Sequence, residues 1–338
     1  MKKITLLSLA ALLLAACSDD EGGVATDLSF HLKGSIRAEA TGSSHVATRG
    51  NVQSTQIVEN ETVWAWVTDA GKSGEEAVLY GGEQLTAAAG GMLTGQTAFA
   101  FPQADSRVDI RAMHGLFAES NLKAAAAFPP SIGFRVMNDQ RTGDNAYISS
   151  DLLYAAADNV GVQGGPTVVP LTFYHMLAKL ELAIEVDAER KEDIADIAIN
   201  DIALEGTFTP RSDADLMQQA ERAAMIVPGE QKNMLTLGTG LNVDGFTNDA
   251  IVVPQPIGGK KITITFADGE QASHPFPAGW RFESGKRHVF HLKLEGKRIQ
   301  LVGKVHPWDT SEGENEGIVT NPSPLSVGDY FYADGTYS

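Results

Sequence analysis

The 338-residue sequence predicts an all-β protein of β-sandwich type, with short helices confined to loops. Three observations carry this. Several segments alternate apolar and polar residues with period two, as half-buried strands do. Turn signals separate them: Gly81-Gly82, Gly90-Gly91, Pro129-Pro130, Gly164-Gly165-Pro166, Pro228-Gly229 and Asp268-Gly269. The composition agrees, with 34 glycines, 20% charged residues and frequent Thr, Val and Ile. No βαβ rhythm, heptad or repeat of fixed period competes with this reading.

Taken in order, the first strand covers 27–36, with Leu28, Phe30, Leu32, Gly34 and Ile36 on one face. Further strands are expected at 62–68, 97–101, 107–114 and 167–173. Segment 180–186 puts Leu180, Leu182, Ile184 and Val186 on one face. Segment 261–266 does so with Ile262, Ile264 and Phe266, and 288–294 with Phe290, Leu292 and Leu294. Short helices are expected at 120–127 and 214–225. The length suggests two domains.

The N-terminus is a targeting segment. Met1-Lys2-Lys3 precedes an uncharged apolar run over 4–14, which ends in Leu14-Ala15-Ala16-Cys17. That run is shorter than the ~20 apolar residues a bilayer span needs. Cys17 is the only cysteine in the chain, so no intrachain disulfide can form and hydrophobic cores must hold the fold. Cys17 directly after Leu-Ala-Ala resembles a bacterial lipobox, whose cysteine is acylated and becomes the mature N-terminus. The expectation is a chain anchored to a membrane by lipid without crossing it. Residues 18–23 then read as an acidic, glycine-ended tether, which is similar to the acidic surface-export signal of Bacteroides-type lipoproteins.

The net charge of −17, two units more negative once Lys2 and Lys3 are removed, repels nucleic acid and anionic lipid surfaces. The search for chemistry returns little. His288 and His291, three apart on a strand, point to opposite faces and make a poor metal pair. The other six histidines are scattered. There is no H-E-x-x-H, G-x-S-x-G or P-loop, and no thiol for catalysis beyond Cys17. No catalytic residue, metal site or cofactor is assigned. Trp64, Trp66, Trp280 and Trp308 read either as core or as a sugar-binding platform.

Several stretches together resemble one family, the fimbrillins and Mfa-like proteins of type V pili in Bacteroides-type bacteria. Thr48-Arg49-Gly50 stands at the family's distance past the lipobox. Residues 173–180, FYHMLAKL, resemble F-x-H-x-(L/F)-(A/S)-K-(L/V), and Ile251-Val252-Val253-Pro254-Gln255 resembles an (I/V)-x-P-Q segment. The stretch from Trp280 through Gly285-Lys286 to Leu294 is similar to W-x-x-G-K-x-Y-x-Y-x-L, with His288 where Tyr is usual. Val305-His306-Pro307-Trp308 is similar to the late V-x-x-W.

The resemblance implies two tandem transthyretin-like β-sandwich domains. The expected division is a signal peptide at 1–16, a lipidated tether with a removable first strand at 17–49, sandwiches at 50–188 and 189–312, and a C-terminal tail at 313–338. It implies a structural subunit of a fimbrium, stalk or tip/accessory, exported to the outer membrane and cell surface and mediating adhesion without enzyme chemistry. Lipid would sit on Cys17. A trypsin-like protease would cut at Arg49-Gly50, or at Arg37, and release the strand carrying Leu28, Phe30, Leu32 and Ile36. The emptied groove would take a strand from another fimbrial subunit. The donor tail would hold Ile318, Val319, Tyr330, Phe331 and Tyr332, although Pro322 and Pro324 interrupt it and Asp334-Gly335 reads as a closing turn. Partners would be other subunits, the outer membrane through the lipid, and a host or bacterial surface ligand, protein or glycan. The alternative is a cell-surface glycan-binding lipoprotein, which requires Trp64, Trp66 or Trp280 to be exposed in a concave site.

Overall fold

The computed structural model describes residues 27–37, 55–118, 122–123, 127–140, 146–163, 167–186, 194–237, 249–295 and 298–308. The strands of the first half are β1 (Ser29–Ile36), β2 (Thr62–Asp69), β3 (Val78–Ala87), β4 (Met92–Thr94), β5 (Phe99–Ala100), β6 (Arg107–His114), β7 (Leu116–Phe117), β8 (Ile132–Arg135), β9 (Leu153–Gly161) and β10 (Thr167–His175). The second half adds β11 (Ala178–Val186), β12 (Ile194–Ile202), β13 (Glu205–Phe208), β14 (Ile226–Pro228), β15 (Asn233–Thr236), β16 (Ala250–Val252), β17 (Lys261–Phe266), β18 (Gln271–Pro275), β19 (Lys286–Glu295) and β20 (Arg298–Pro307). Helices are short: α1 (Ala146–Ser150), α2 (Asp213–Leu216) and α3 (Gln219–Ala224). The chain is all-β, as its periodicity predicts. The helix expected at 214–225 is present as α2 and α3, while 120–127 lies largely outside the described residues.

The first sheet runs β10-β9-β6-β2-β3-β4-β1-β5, and β1 also pairs with β10, so the sheet closes on itself. Closure leaves β1 with a neighbour on each side and removes the open edge that invites unwanted pairing. Phe30, Leu32, Val63, Val108, Leu171 and Phe173 fill its interior. Two four-stranded sheets, β16-β11-β19-β20 and β15-β12-β17-β18, face each other across a second core that includes Leu180, Leu182, Ile199, Ile264, Phe290 and Trp280. By strand pairing, the passage from the first unit to the second falls between β10 and β11. Residues 178–186, expected at the end of the first sandwich, pair instead with β16 and β19 of the second. The expected boundary at 188/189 lies outside the described residues.

A third core lies between these units. It forms where the small sheet β14-β13-β8-β7, drawn from both halves of the sequence, covers Trp64, Trp66 and Tyr154. The motif residues gather around this junction. His175 stacks on Trp308 and lies 2.9 Å from the Asp151 carboxylate. Gln255 grips the backbone of Ala203, accepting from its N–H at 2.7 Å and donating to its carbonyl at 2.9 Å. The Gly285 N–H donates to the Leu177 carbonyl at 2.7 Å. Lys179, Glu181 and Arg287 form a buried ion cluster on the outward face of β11 and β19. Strict alternation puts Lys179 and Glu181 on a solvent face. All three are nonetheless buried, with Arg287 opposite Lys179 on the neighbouring strand, which local periodicity does not report.

Candidate functional site

The strongest candidate site is the seat of β1. Alternation within Ser29–Ile36 divides the strand cleanly. Phe30, Leu32, Gly34 and Ile36 are buried, while His31, Lys33 and Ser35 are exposed. Leu28 is half-buried and packs against the same core. The structure therefore brings together Leu28, Phe30, Leu32 and Ile36 on one face.

On one side β1 runs parallel to β10, from Phe30 opposite Thr167 to Ile36 opposite Phe173. On the other it runs antiparallel to β5, at Ser29 and Phe30, and to β4, at Leu32 and Lys33. Parallel pairing cannot come from a hairpin, so this strand is inserted from a distance. The ends are tied by the backbone. Leu28 accepts from the Phe101 N–H at 2.9 Å, and Arg37 donates to the Phe173 carbonyl at 2.8 Å. At the entry, the Asp27 carboxylate accepts from the Ser29 N–H at 2.9 Å, and that hydrogen bond holds its pKa below the usual carboxylate value.

Side-chain fit is specific along the seat. The Phe30 ring stacks on Phe99 at 5.4 Å and 15°, and packs tilted on Phe101 at 4.8 Å. Tyr80 backs this cluster, with its ring edge-on to Phe99 at 5.0 Å and its hydroxyl accepting from Ala100 N–H at 2.9 Å. Gly34 lies against the Phe173 ring, where a β-carbon would stand 2.9 Å from Cε2. Across from it, Gly91 (φ 79°) lies against the Gly34 carbonyl, leaving no room there for a side chain. Burying Phe30, Leu32 and Ile36 contributes about 1.5–3 kcal/mol each, so an empty seat would expose a large part of the first core.

The chain leaves β1 at Arg37 and returns beside it, since the Ile36 N–H donates to the Thr55 carbonyl at 2.8 Å. Arg49 and Gly50 fall between these points, outside the described residues, as do Cys17, Ile318, Val319, Tyr330, Phe331 and Tyr332. All four tryptophans are buried: Trp64 is 3%, Trp66 1%, Trp280 3% and Trp308 4% exposed. The tryptophan platform required by the glycan-binding alternative is therefore not formed. His288 is buried and accepts from the Glu283 N–H at 2.9 Å, while His291 points the other way along β19. Among the described residues no group of three or more His, Cys, Asp or Glu is placed to hold a metal ion, and no helix is long and apolar enough to cross a membrane.

Alternation in the sequence identified the buried face of β1. It carried no signal for the partner strands β10, β4 and β5, or for the contact of Gly34 with Phe173. A glycine standing in the apolar register was the one visible hint of close packing.

Comparison with known proteins agrees with this architecture. A family model described as fimbrillin-like matches residues 48–308. A search among curated proteins finds no relative. Among solved structures, a candidate cell adhesion protein of Bacteroides ovatus superposes with a TM-score of 0.60 at 14% identity, covering 85% of this chain and 99% of its own. A second such protein, from Bacteroides uniformis, gives 0.56 at 17% identity, covering 83% and 100%. The tip fimbrial protein Mfa3 of Porphyromonas gingivalis, with its C-terminus truncated, gives 0.50 at 9% identity, covering 83% and 100%. At these identities the likeness is one of fold.

Proposed function

The chain belongs to the fimbrillin-like family, and we propose that it is a structural subunit, stalk or tip/accessory, of a type V fimbrium on the cell surface. It is exported as a lipoprotein acylated on Cys17 and joins other fimbrial subunits by protease-triggered strand exchange. Cleavage at Arg49-Gly50 frees β1, and a strand from a neighbouring subunit takes its place. The role is mechanical and adhesive, with no reaction catalysed.

One observation carries this reading. The first strand is a separate piece threaded between β10 on one side and β4 and β5 on the other, and it completes a core that the rest of the chain leaves open. A strand in that position is held by backbone hydrogen bonds and alternate side-chain pockets, and both can be supplied by another extended segment. Burial of the tryptophans favours this reading over the glycan-binding one.

The test is limited trypsin treatment of residues 18–338, followed by intact mass and size analysis. Cleavage confined to Arg49, or to Arg37, with ladders or filaments following, is the expected result. Resistance at both arginines contradicts strand removal. A clean cut that leaves a monomer favours the tip/accessory role over the stalk.

A further inference from the structure

Resting on the fimbrial reading for its source of load, we infer that the stack of His175 on Trp308 is a mechanical latch. While it holds, tension along the chain passes from one ring to the other and leaves the second unit unloaded. The chain enters and leaves that unit at one place. β11 starts at Ala178, β19 starts at Lys286 and β20 ends at Pro307. Lys179 stands opposite Arg287, and Arg287 opposite His306. Entry and exit therefore lie two strands apart, roughly 10 Å, at the same end of one sheet. His175 closes β10 just before the entry, and Trp308 follows the exit directly. Their rings, 3.9 Å apart, close the loop made by residues 178–307. Both sides of the latch are anchored. His175 lies 2.9 Å from the Asp151 carboxylate, and the Met176 N–H donates to the Leu152 carbonyl at 2.9 Å. Trp308 is sunk in the third core with Tyr174, Met176 and Leu177. The Ser284 hydroxyl donates to the Met176 carbonyl at 2.7 Å, which pins the entry from the second unit.

Strand geometry decides what yields when the latch is absent. β1 runs parallel to β10 over seven paired residues, from Phe30 opposite Thr167 to Ile36 opposite Phe173. A pull on the N-terminal end of β1 against the His175 end of β10 is a shear, and all of these pairs share the load. β19 and β20 are antiparallel, and their pairing ends at Lys286 opposite Pro307. A pull on the chain past Trp308 against the chain at Leu177 peels β20 from that end, so one pair at a time carries the load. Peeling is the weaker geometry, and an unlatched second unit opens first. With the latch closed, the same pull runs from β10 through His175 to Trp308, and the sheared strand in the first unit sets the limit.

The experiment is single-molecule pulling of residues 18–338, with handles on Ser18→Cys and Asp309→Cys, since that span holds no other cysteine. The handles supply the load, so the outcome does not depend on assembly, and failure of the fimbrial reading shows instead in the trypsin experiment. In the otherwise native chain the first step should be release of β1, about 10 nm for the chain from Asp27 to Ile57. The step of about 45 nm for residues 178–307 should come later. In Trp308→Ala the longer step should come first, at no more than about half its native force, while Trp308→Phe, which keeps a ring on His175, should retain the native order. A second geometry separates a latch from general loss of stability. Handles on Ser18→Cys and Asp268→Cys, in the exposed turn between β17 and β18, load the second unit whether or not the latch is closed. There Trp308→Ala should change the yielding force far less, because Trp308 belongs to the third core and not to the second. A long step that comes first in the native chain overturns the latch, and so does the native order in Trp308→Ala. Equal loss of force in both geometries makes Trp308 a stabilising side chain only and overturns it as well. Should Trp308→Ala not fold, the order of steps in the native chain and in Trp308→Phe still decides.

Discussion

The imidazole of His175 lies flat on the indole of Trp308, with ring centroids 3.9 Å apart and planes 13° from parallel. His175 ends β10 of the first unit, and Trp308 follows β20 of the second. The contact therefore fastens the two units at the end of the strand beside which β1 is seated. Trp308→Ala should destabilise the protein by about 3–5 kcal/mol, as for loss of a buried large aromatic. Trp308→Phe, which keeps a ring on His175, should lose much less. Denaturant unfolding of both variants checks this, and equal losses would show that stacking is not what matters.

A buried ionic cluster ties β11 to β19 within the second unit. Glu181 lies 2.6 Å from Lys179 Nζ and 2.7 Å from Arg287 Nη1, with all three residues buried. Glu181→Gln leaves two buried cations without their carboxylate and should cost about 3–5 kcal/mol. Replacing all three with apolar residues of similar size should cost far less, because no uncompensated charge remains. Burial raises the Glu181 pKa, but Lys179 and Arg287 outweigh it and the net shift is below the ordinary 4.5. A depressed carboxylate stabilises above its unfolded pKa. This contribution should thus be complete above about pH 4.5 and fade as pH falls towards the lower folded value. Unfolding midpoints measured across that range, for wild type against the apolar triple variant, report it.

His288 makes a distinct pH signature. Burial holds its imidazole down to about 3 from the ordinary 6.5, and it accepts a hydrogen bond from the Glu283 N–H in the neutral form. The unfolded chain binds this proton below pH 6.5 and the folded chain does not. Stability is therefore full above 6.5 and declines as pH falls towards 3. His288→Gln, which keeps an acceptor and removes the titration, should flatten that limb relative to wild type. Parallel stability curves for the two proteins would contradict the assignment.

The close approach of Gly34 to Phe173 is testable in the uncut chain. Gly34→Ala should destabilise by about 1–3 kcal/mol through overpacking, and Gly34→Val by more. Combining Gly34→Val with Phe173→Leu should recover part of the loss, because the two sites are in contact. Simple additivity in a thermal unfolding cycle would show that the ring does not set the limit.

The period-two signal read from sequence concerns faces, and there it served well. Phe30, Leu32, Leu180, Leu182, Ile262, Ile264, Phe290 and Leu292 are buried where alternation puts them. Neighbours are another matter. That β1 runs parallel to β10, or that β8 and β13 from different halves share a sheet, depends on pairings between distant segments. A single strand's periodicity carries no record of them. The burial of Lys179 and Glu181, opposite the apolar face of β11, has the same origin. Arg287, the partner of Glu181, stands on the adjacent strand β19, opposite Lys179 in the parallel β11–β19 pair, and that pairing is set by a distant segment of the chain.

The central claim is that β1 is a releasable strand whose seat accepts another. A reversible staple tests it most directly. Lys33 and Met92 face each other across the β1–β4 pair, and residues 18–338 contain no other cysteine. Lys33→Cys with Met92→Cys can then form one disulfide that locks β1 in place. Size analysis after cleavage in the 38–54 segment should show monomer while the disulfide is oxidised and assembly after it is reduced. Equal assembly in both states would contradict release of β1 as the trigger.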